Sequence, residues 1–280
     1  MIRFMLFALI LGSTLFAQTV RVAYDSSSMN SFSKKDMMIA TQIWVKEVIK
    51  GTDYKVEFNY YDDMSKMAED LNEEKIDLMT GFGLNFIKYF NLSKLENAFG
   101  VGSKNGQKEV FIVVVSKEKH INSIADLKDK SIGVNVDDDI AKLYIKTKIY
   151  ETTKAQNVKI VEFKSRQRAL LKLFFSKVDA VVTTNKSYEL LQELNPQVSS
   201  KLKIIDTTDI QATSFGFFRK SLDPKVKKSL AKMALNLDTD EYGKQLLLIY
   251  KTEAIRESKI EDLDPIKELY ERSLKIKGFK

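Results

Sequence analysis

The sequence predicts an α/β protein of two lobes, each a mostly parallel sheet flanked by helices, with a ligand cleft between the lobes. Three observations carry this reading. Short β-type runs alternate with segments whose apolar residues recur every three or four positions, the grammar of βαβ units. The alternation falls into two separable blocks, at about 19–110 and 111–205. The remainder from 206 holds too few strands for a sheet of its own, so it is expected to return to the first lobe, making that lobe 19–110 plus 206–280 and the second 111–205.

The first 18 residues stand apart from that pattern. Arg3 precedes the apolar run Phe4 to Leu11, Gly12-Ser13-Thr14 loosens the stretch, and Leu15-Phe16-Ala17 follows. A basic start, an apolar middle and a small residue at the end are the parts of a secretory signal peptide. The run is shorter than the about 20 apolar residues needed to span a bilayer. Cleavage after Ala17 or Gln18 leaves about 262 residues, enough for one large domain or two small ones. Export to the periplasm is the expected location.

Residues 19–24 read as a first strand, stopped by Asp25-Ser26-Ser27-Ser28. A helix carrying Ile39, Ile43, Trp44, Val48 and Ile49 follows and ends at Gly51. Residues 54–60 alternate as a half-buried strand. A helix over 64–72 leads to a short strand over 76–80, which ends in Gly81-Phe82-Gly83. The second block opens with the continuous apolar run Val110 to Val115, then strands at 131–134, 158–163 and 178–182 separated by helices near 138–151 and 167–175. Strands at 202–205 and 214–218 follow, and the chain from Pro224 reads as helical.

Composition narrows the function classes. The 45 basic and 38 acidic residues give +7 at pH 7, but both signs are interspersed and no Lys/Arg block tracks a phosphate backbone, which argues against nucleic-acid binding. With no Cys, disulfides, thiolate metal sites and a lipid anchor on a cysteine are excluded. His120 is the only histidine, so no histidine dyad or multi-histidine metal site exists. Ser116 and Lys119 have S-x-x-K spacing without its companion motifs, and no G-x-S-x-G, G-x-G-x-x-G or phosphate-binding loop occurs. No catalytic residue, metal or cofactor is therefore assigned.

Open α/β sheets bind ligands at the C-terminal ends of their strands. Four such ends carry small polar or acidic residues: Ser26-Ser27-Ser28, Thr80-Gly81, Asp137-Asp138-Asp139 and Thr183-Thr184-Asn185. Helix N-capping explains any one of them alone; together they mark candidate binding residues Ser26, Ser27, Thr80, Asp137, Asp138, Thr183, Thr184 and Asn185. Ser165 and Arg166 follow another strand, and a guanidinium there could hold an anion bidentately or simply be a solvated helix face. Of the aromatics Tyr24, Tyr60, Tyr61 and Phe82, Phe82 directly follows a strand end and is the favoured pocket wall.

Several segments resemble the phosphate, phosphite and phosphonate class of periplasmic substrate-binding proteins that serve ABC importers. Residues 123–134, S-I-A-D-L-K-D-K-S-I-G-V, are similar to that family's S-x-x-D-L-K-G-K-x-I-G-V. Residues 169–180, A-L-L-K-L-F-F-S-K-V-D-A, resemble its A-L-x-x-L-x-x-G-K-V-D-A. Residues 193–198 with Lys201-Leu202 resemble its E-L-N-P-Q-L…K-L, and 73–78 its G-x-I-D-L strand. The resemblance implies the two-lobed type II binding-protein fold and ligand contacts at Phe82, Ser165, Arg166, Thr183, Thr184 and Asn185. It also implies a small-molecule ligand, an ABC permease as partner, and a monomer. Where phosphonate binders place a Ser-Thr-Ser-like run, this chain reads Asn135-Val136-Asp137-Asp138-Asp139. Each carboxylate near a bound phosphonate would cost on the order of 1 kcal/mol. An amine-bearing, zwitterionic or uncharged solute suits that slot, while Arg166 suits a small anion. The function expected is capture of a small polar solute for an importer; the alternative is a sensory module that presents its ligand to a membrane kinase or cyclase.

Overall fold

The computed structural model describes residues 18–29, 53–239, 241–249 and 252–276, with scattered positions between 35 and 49. The stretch read as a signal peptide, apart from Gln18 at the start of the first strand, and most of the helix expected near 39–49 lie outside the described residues. Among the described positions of that helix, Val45 is buried whereas Ile39 and Ile43 are exposed.

Two sheets form the frame. The first has six strands in the order β11-β4-β10-β3-β1-β2 and the second has five in the order β7-β6-β8-β5-β9. In the first, β1 (Gln18–Asp25) pairs in parallel with both β2 (Tyr54–Tyr61) and β3 (Leu78–Phe82). Its other half is antiparallel: β10 (Ser214–Arg219) lies between β3 and β4 (Leu95–Gly102), and β11 (Ala254–Ser258) pairs with the far side of β4. In the second sheet, β6 (Ser131–Asn135) is parallel to β7 (Lys159–Phe163) and β8 (Ala180–Thr184). The strand β5 (Val110–Ser116) is antiparallel to β8 and to β9 (Leu202–Gln211).

The two-lobed α/β architecture is as expected, but the sheets are mixed rather than mostly parallel. The strands that cross between lobes arrive from the opposite direction to the βαβ units, so they pair antiparallel. The tail is not wholly helical either, because β11 completes the first sheet. The return to that sheet comes after Gln211, since β9 continues in the second sheet beyond residue 205.

Burial follows strand position. From Phe111 to Ser116 every residue of β5 is buried, as a strand flanked on both sides and covered on both faces requires. At the sheet edge β2 alternates between exposed and half-buried residues. The start of α1 (Met64–Asn72) is capped in the ordinary way, Asp63 accepting from the backbone N–H of Ser65 and Lys66.

One apolar core runs through both lobes, from Phe86 and Phe217 in the first to Val113 and Ile145 in the second. Phe86 meets Phe217 edge-to-face at 4.9 Å. The lobes are also bridged by the C-terminal helix α9 (Asp264–Leu274). It packs on α2 (Gly83–Tyr89) of the first lobe and on α3 (Asp139–Thr153) of the second. Beneath the first sheet the buried Asp77 receives Arg21 and Arg219, with a 2.8 Å contact to Arg219. These guanidinium contacts hold its carboxyl below the ordinary carboxylate range, against the opposing effect of burial.

Candidate functional site

The first wall of the cleft is built at the C-terminal ends of β1 and β3, which share an edge because the strands are parallel. Asp25 ends β1 and is only 1% exposed. Its Oδ1 accepts from the backbone N–H of Ser27 at 2.9 Å and from the Ser27 hydroxyl at 2.6 Å. Its Oδ2 accepts from the Asn85 amide at 2.7 Å. Gly81 allows this approach, since a Cβ there would lie 2.8 Å from the Cβ of Asp25. The carboxylate thus draws the donors of Ser27 and Asn85 inward.

The facing wall starts where β6 gives way to α3. Asp138 occupies the N-cap position but its side chain makes no cap bond. Its carboxylate instead receives the fork of Arg166, Nε to Oδ2 at 2.8 Å and Nη2 to Oδ1 at 2.7 Å. The third guanidinium nitrogen, Nη1, donates to Glu109 Oε1 at 3.2 Å. The guanidinium carbon stands 5.8 Å from the centre of the Phe111 ring. Burial opposes the charge of Arg166, but Asp138, Glu109 and Asp137 outweigh it and raise the pKa further above its ordinary value. Arg166 is therefore held in a carboxylate cage. Asp139, one residue on, pairs with Lys142 at 3.1 Å and remains exposed.

Between the walls lies a cavity of about 250 Å³. Ser27, Phe82 and Asn85 face it from the first lobe, Phe111 and Asp137 to Asp139 from the second, and Gln211 and Thr213 at the crossing. Among the described residues that line it there are three carboxylates and no Lys, Arg or His. Such a space can hold a small polar molecule with an apolar side against Phe82 and Phe111.

The structure brings Ser27, Phe82, Asp137 and Asp138 together at this cavity. Arg166 stands behind Asp138. Ser165 caps α4 (Arg166–Phe174), accepting from the Arg168 N–H, and Thr184 caps α5 (Asn185–Leu194) by accepting from the Ser187 N–H. Asn185 braces the crossing into β5, accepting from the Val110 N–H at 3.0 Å and donating to the Lys108 carbonyl at 3.1 Å. Thr183 is fully buried, and its hydroxyl has no hydrogen-bond partner among the described residues. Ser26 begins the turn of 3-10 helix after β1 and is not among the residues lining the cavity. Thr80 lines a separate apolar cavity of about 210 Å³ with Tyr24 and Phe99. Tyr24 stacks on Tyr60 at 5.5 Å and Tyr61 donates to Asp70, so Phe82 alone of the four aromatics walls the cleft.

Sequence reasoning missed Asp25, Asn85, Glu109, Phe111 and Gln211. Asp25 reads only as a strand stop. The useful signal is Asn85 at the start of the helix that follows β3, a polar residue on an otherwise apolar segment. Lys119, the second member of the S-x-x-K spacing, is engaged with Asp179. No described helix is long and apolar enough to cross a membrane, and no cluster of metal-holding side chains occurs among the described residues.

Solved structures with the same fold are numerous. A protein from Xanthomonas citri, XAC2383, solved with chloride, superposes with a TM-score of 0.66 at 11% identity, covering 92% of this chain and 98% of that one. PhnD1 from Prochlorococcus marinus, in complex with methylphosphonate, gives 0.59 at 15% identity over 93% of this chain and 100% of its own. The binding-protein component of an ABC phosphonate transporter from Pseudomonas aeruginosa gives 0.55 at 15% identity over 91% and 86%. No curated protein is matched by the sequence. At these identities the likeness speaks for the fold. The family is given by the sequence itself, in which residues 28–263 match the ABC-transporter phosphonate periplasmic substrate-binding proteins. The chain belongs to that family of periplasmic substrate-binding proteins.

Proposed function

We propose that this protein captures a small polar solute between its lobes in the periplasm and delivers it to an ABC permease, catalysing nothing itself. The observation that carries the reading is the cavity of about 250 Å³ lined from both lobes at strand C-terminal ends. Phe82 and Phe111 flank the solute, Ser27 and Asn85 meet it from one side, and Asp137 and Asp139 from the other. The lobes correspond to 19–110 with the C-terminal part of the chain and to the second sheet with its helices. Opening and closing take place at the two crossings, near 103–109 and 212–213, where Asn185 holds the backbone of Lys108 and Val110 and Gln211 donates to Asp262. The cavity is complete within one chain, so a monomer suffices for capture.

The test is uptake by spheroplasts that carry an ABC permease and ATPase of the phosphonate-transporter class. Added protein should restore uptake of the solute in proportion to its concentration. Equal uptake with and without the protein, or a ligand response carried only by a membrane kinase or cyclase, would overturn delivery.

A further inference from the structure

Asp262 lies in the 3-10 turn Ile260–Leu263 just before α9, and that turn is anchored in the first lobe. Ile260 donates its N–H to the Asn97 side chain of β4 at 2.9 Å, and Leu263 is fully buried. One carboxylate oxygen of Asp262 serves as a cap, accepting from the Lys259 N–H at 3.0 Å. Capping does not account for the other oxygen. It accepts from Lys108 Nζ at 3.0 Å and from the Gln211 amide at 3.1 Å. Lys108 stands on one crossing between the lobes and Gln211 at the start of the other. The crossings are also tied to each other, the Ala212 N–H donating to the Glu109 carbonyl at 2.8 Å. The matching turn of the second lobe, Ile124–Leu127, shows capping by itself. There Asp126 accepts from the N–H groups of Asn122 and Ser123 and from the Ser123 hydroxyl, all beside its own turn.

Building on the capture reading, we infer that Asp262 is a positioning residue for closure, which fastens both crossings to the first lobe and limits how far the lobes open. The Lys108 side chain is 60% exposed, so its ion pair adds little. The bond from Gln211 is part-buried and charge-assisted, and is the firmer grip. Gln211 also lines the cleft cavity, so the carboxylate that holds the crossings also directs an amide at the site. On the other lobe Asn185 holds the Lys108 carbonyl and the Val110 N–H. A hinge concentrates its backbone change in a few residues, and these two grips confine that change to the short stretches between them.

The chain has no Cys, so Lys172→Cys and Lys228→Cys put one spin label on each lobe. Both positions are exposed, one on α4 and one on the helix Pro224–Leu235. Pulsed electron resonance on the full protein, with no solute added, reads the distribution of distances between the labels. Asp262→Ala should broaden that distribution and shift its mean by more than about 2 Å. Asp126→Ala loses the matching cap but no contact to a crossing, and should leave the distribution unchanged. If Asp262→Ala fails to fold, Lys108→Met with Gln211→Leu releases the same grip from the other side and should broaden it likewise. An unchanged distribution in the variant that folds, or equal broadening in Asp126→Ala, overturns the inference and leaves capture standing. Capture fails separately, by the absence of a retained solute in mass spectrometry, which these distances do not read.

Discussion

Replacing Arg166 with Met should destabilise the protein, because the guanidinium is part of the folded frame and is not a free arm waiting for an anion. Three hydrogen bonds are lost, at 2.7, 2.8 and 3.2 Å, and Asp138, only 5% exposed, is left without its cation. Removing one partner of a buried ion pair costs about 3–5 kcal/mol. The Arg166 side chain keeps 23% of its surface in water, so the lower end, about 3 kcal/mol, is the better figure. For a chain of this size that corresponds to a fall in Tm of roughly 6–12 °C. Scanning calorimetry measures the drop directly. Adding Asp138→Asn to the Arg166→Met protein removes the stranded charge, so the double variant should be more stable than the sum of the single effects by about 1–3 kcal/mol. A fall below about 2 °C in Arg166→Met, with no coupling to Asp138, would refute the cage.

Further outcomes follow from other parts of the fold. Asp179 has its carboxyl drawn down to about 2; burial opposes this, and Lys119 and the Ser131 hydrogen bonds override it. A depressed folded pKa gives stability that is present above the unfolded value near 4 and is lost as pH falls toward about 2. Urea unfolding should therefore show Asp179→Asn removing roughly 1–2 kcal/mol at about pH 6 and much less at about pH 2; an equal loss at both would count against the linkage. Phe217→Ala empties a fully buried site and breaks the edge-to-face contact with Phe86, and should cost about 3–5 kcal/mol in the same assay. Gly216→Ala would bring a Cβ to 2.1 Å from the Phe99 carbonyl oxygen, so strand β10 must shift, at about 2–3 kcal/mol. A Gly216→Ala protein as stable as the parent would show that the β10–β4 contact yields freely.

The βαβ units were legible because their signals are local. The apolar run of β5 and the alternation of β2 lie within the elements they define, and the capping alternative for Thr184 lies at the start of its own helix. Strands β4 and β11 were not legible, since Leu95–Gly102 and Ala254–Ser258 carry mixed, partly exposed residues. Their pairing with each other and with β10 makes them strands, and that pairing joins residues far apart in the chain. The antiparallel half of each sheet was hidden for the same reason, because strand direction depends on where the chain crosses between lobes.

At the site, the sequence pointed to strand ends that meet at the cavity and to the acidic turn Asp137-Asp138-Asp139. It could not show that Asp138 faces Arg166 across 28 residues, or that Glu109 reaches the same guanidinium across 57. Those contacts decide what the cleft offers. Thr183, Thr184 and Asn185 illustrate the converse, since polar residues at a strand end served packing, capping and the crossing rather than the cavity lining.

Native mass spectrometry of the freshly purified protein tests the central claim, a solute held between the lobes, most directly. The account predicts one small molecule retained per chain, and its loss in Ala212→Trp, which fills the cavity while the circular dichroism spectrum stays unchanged. A protein that carries no adduct, or an adduct that survives Ala212→Trp at full occupancy, would contradict it.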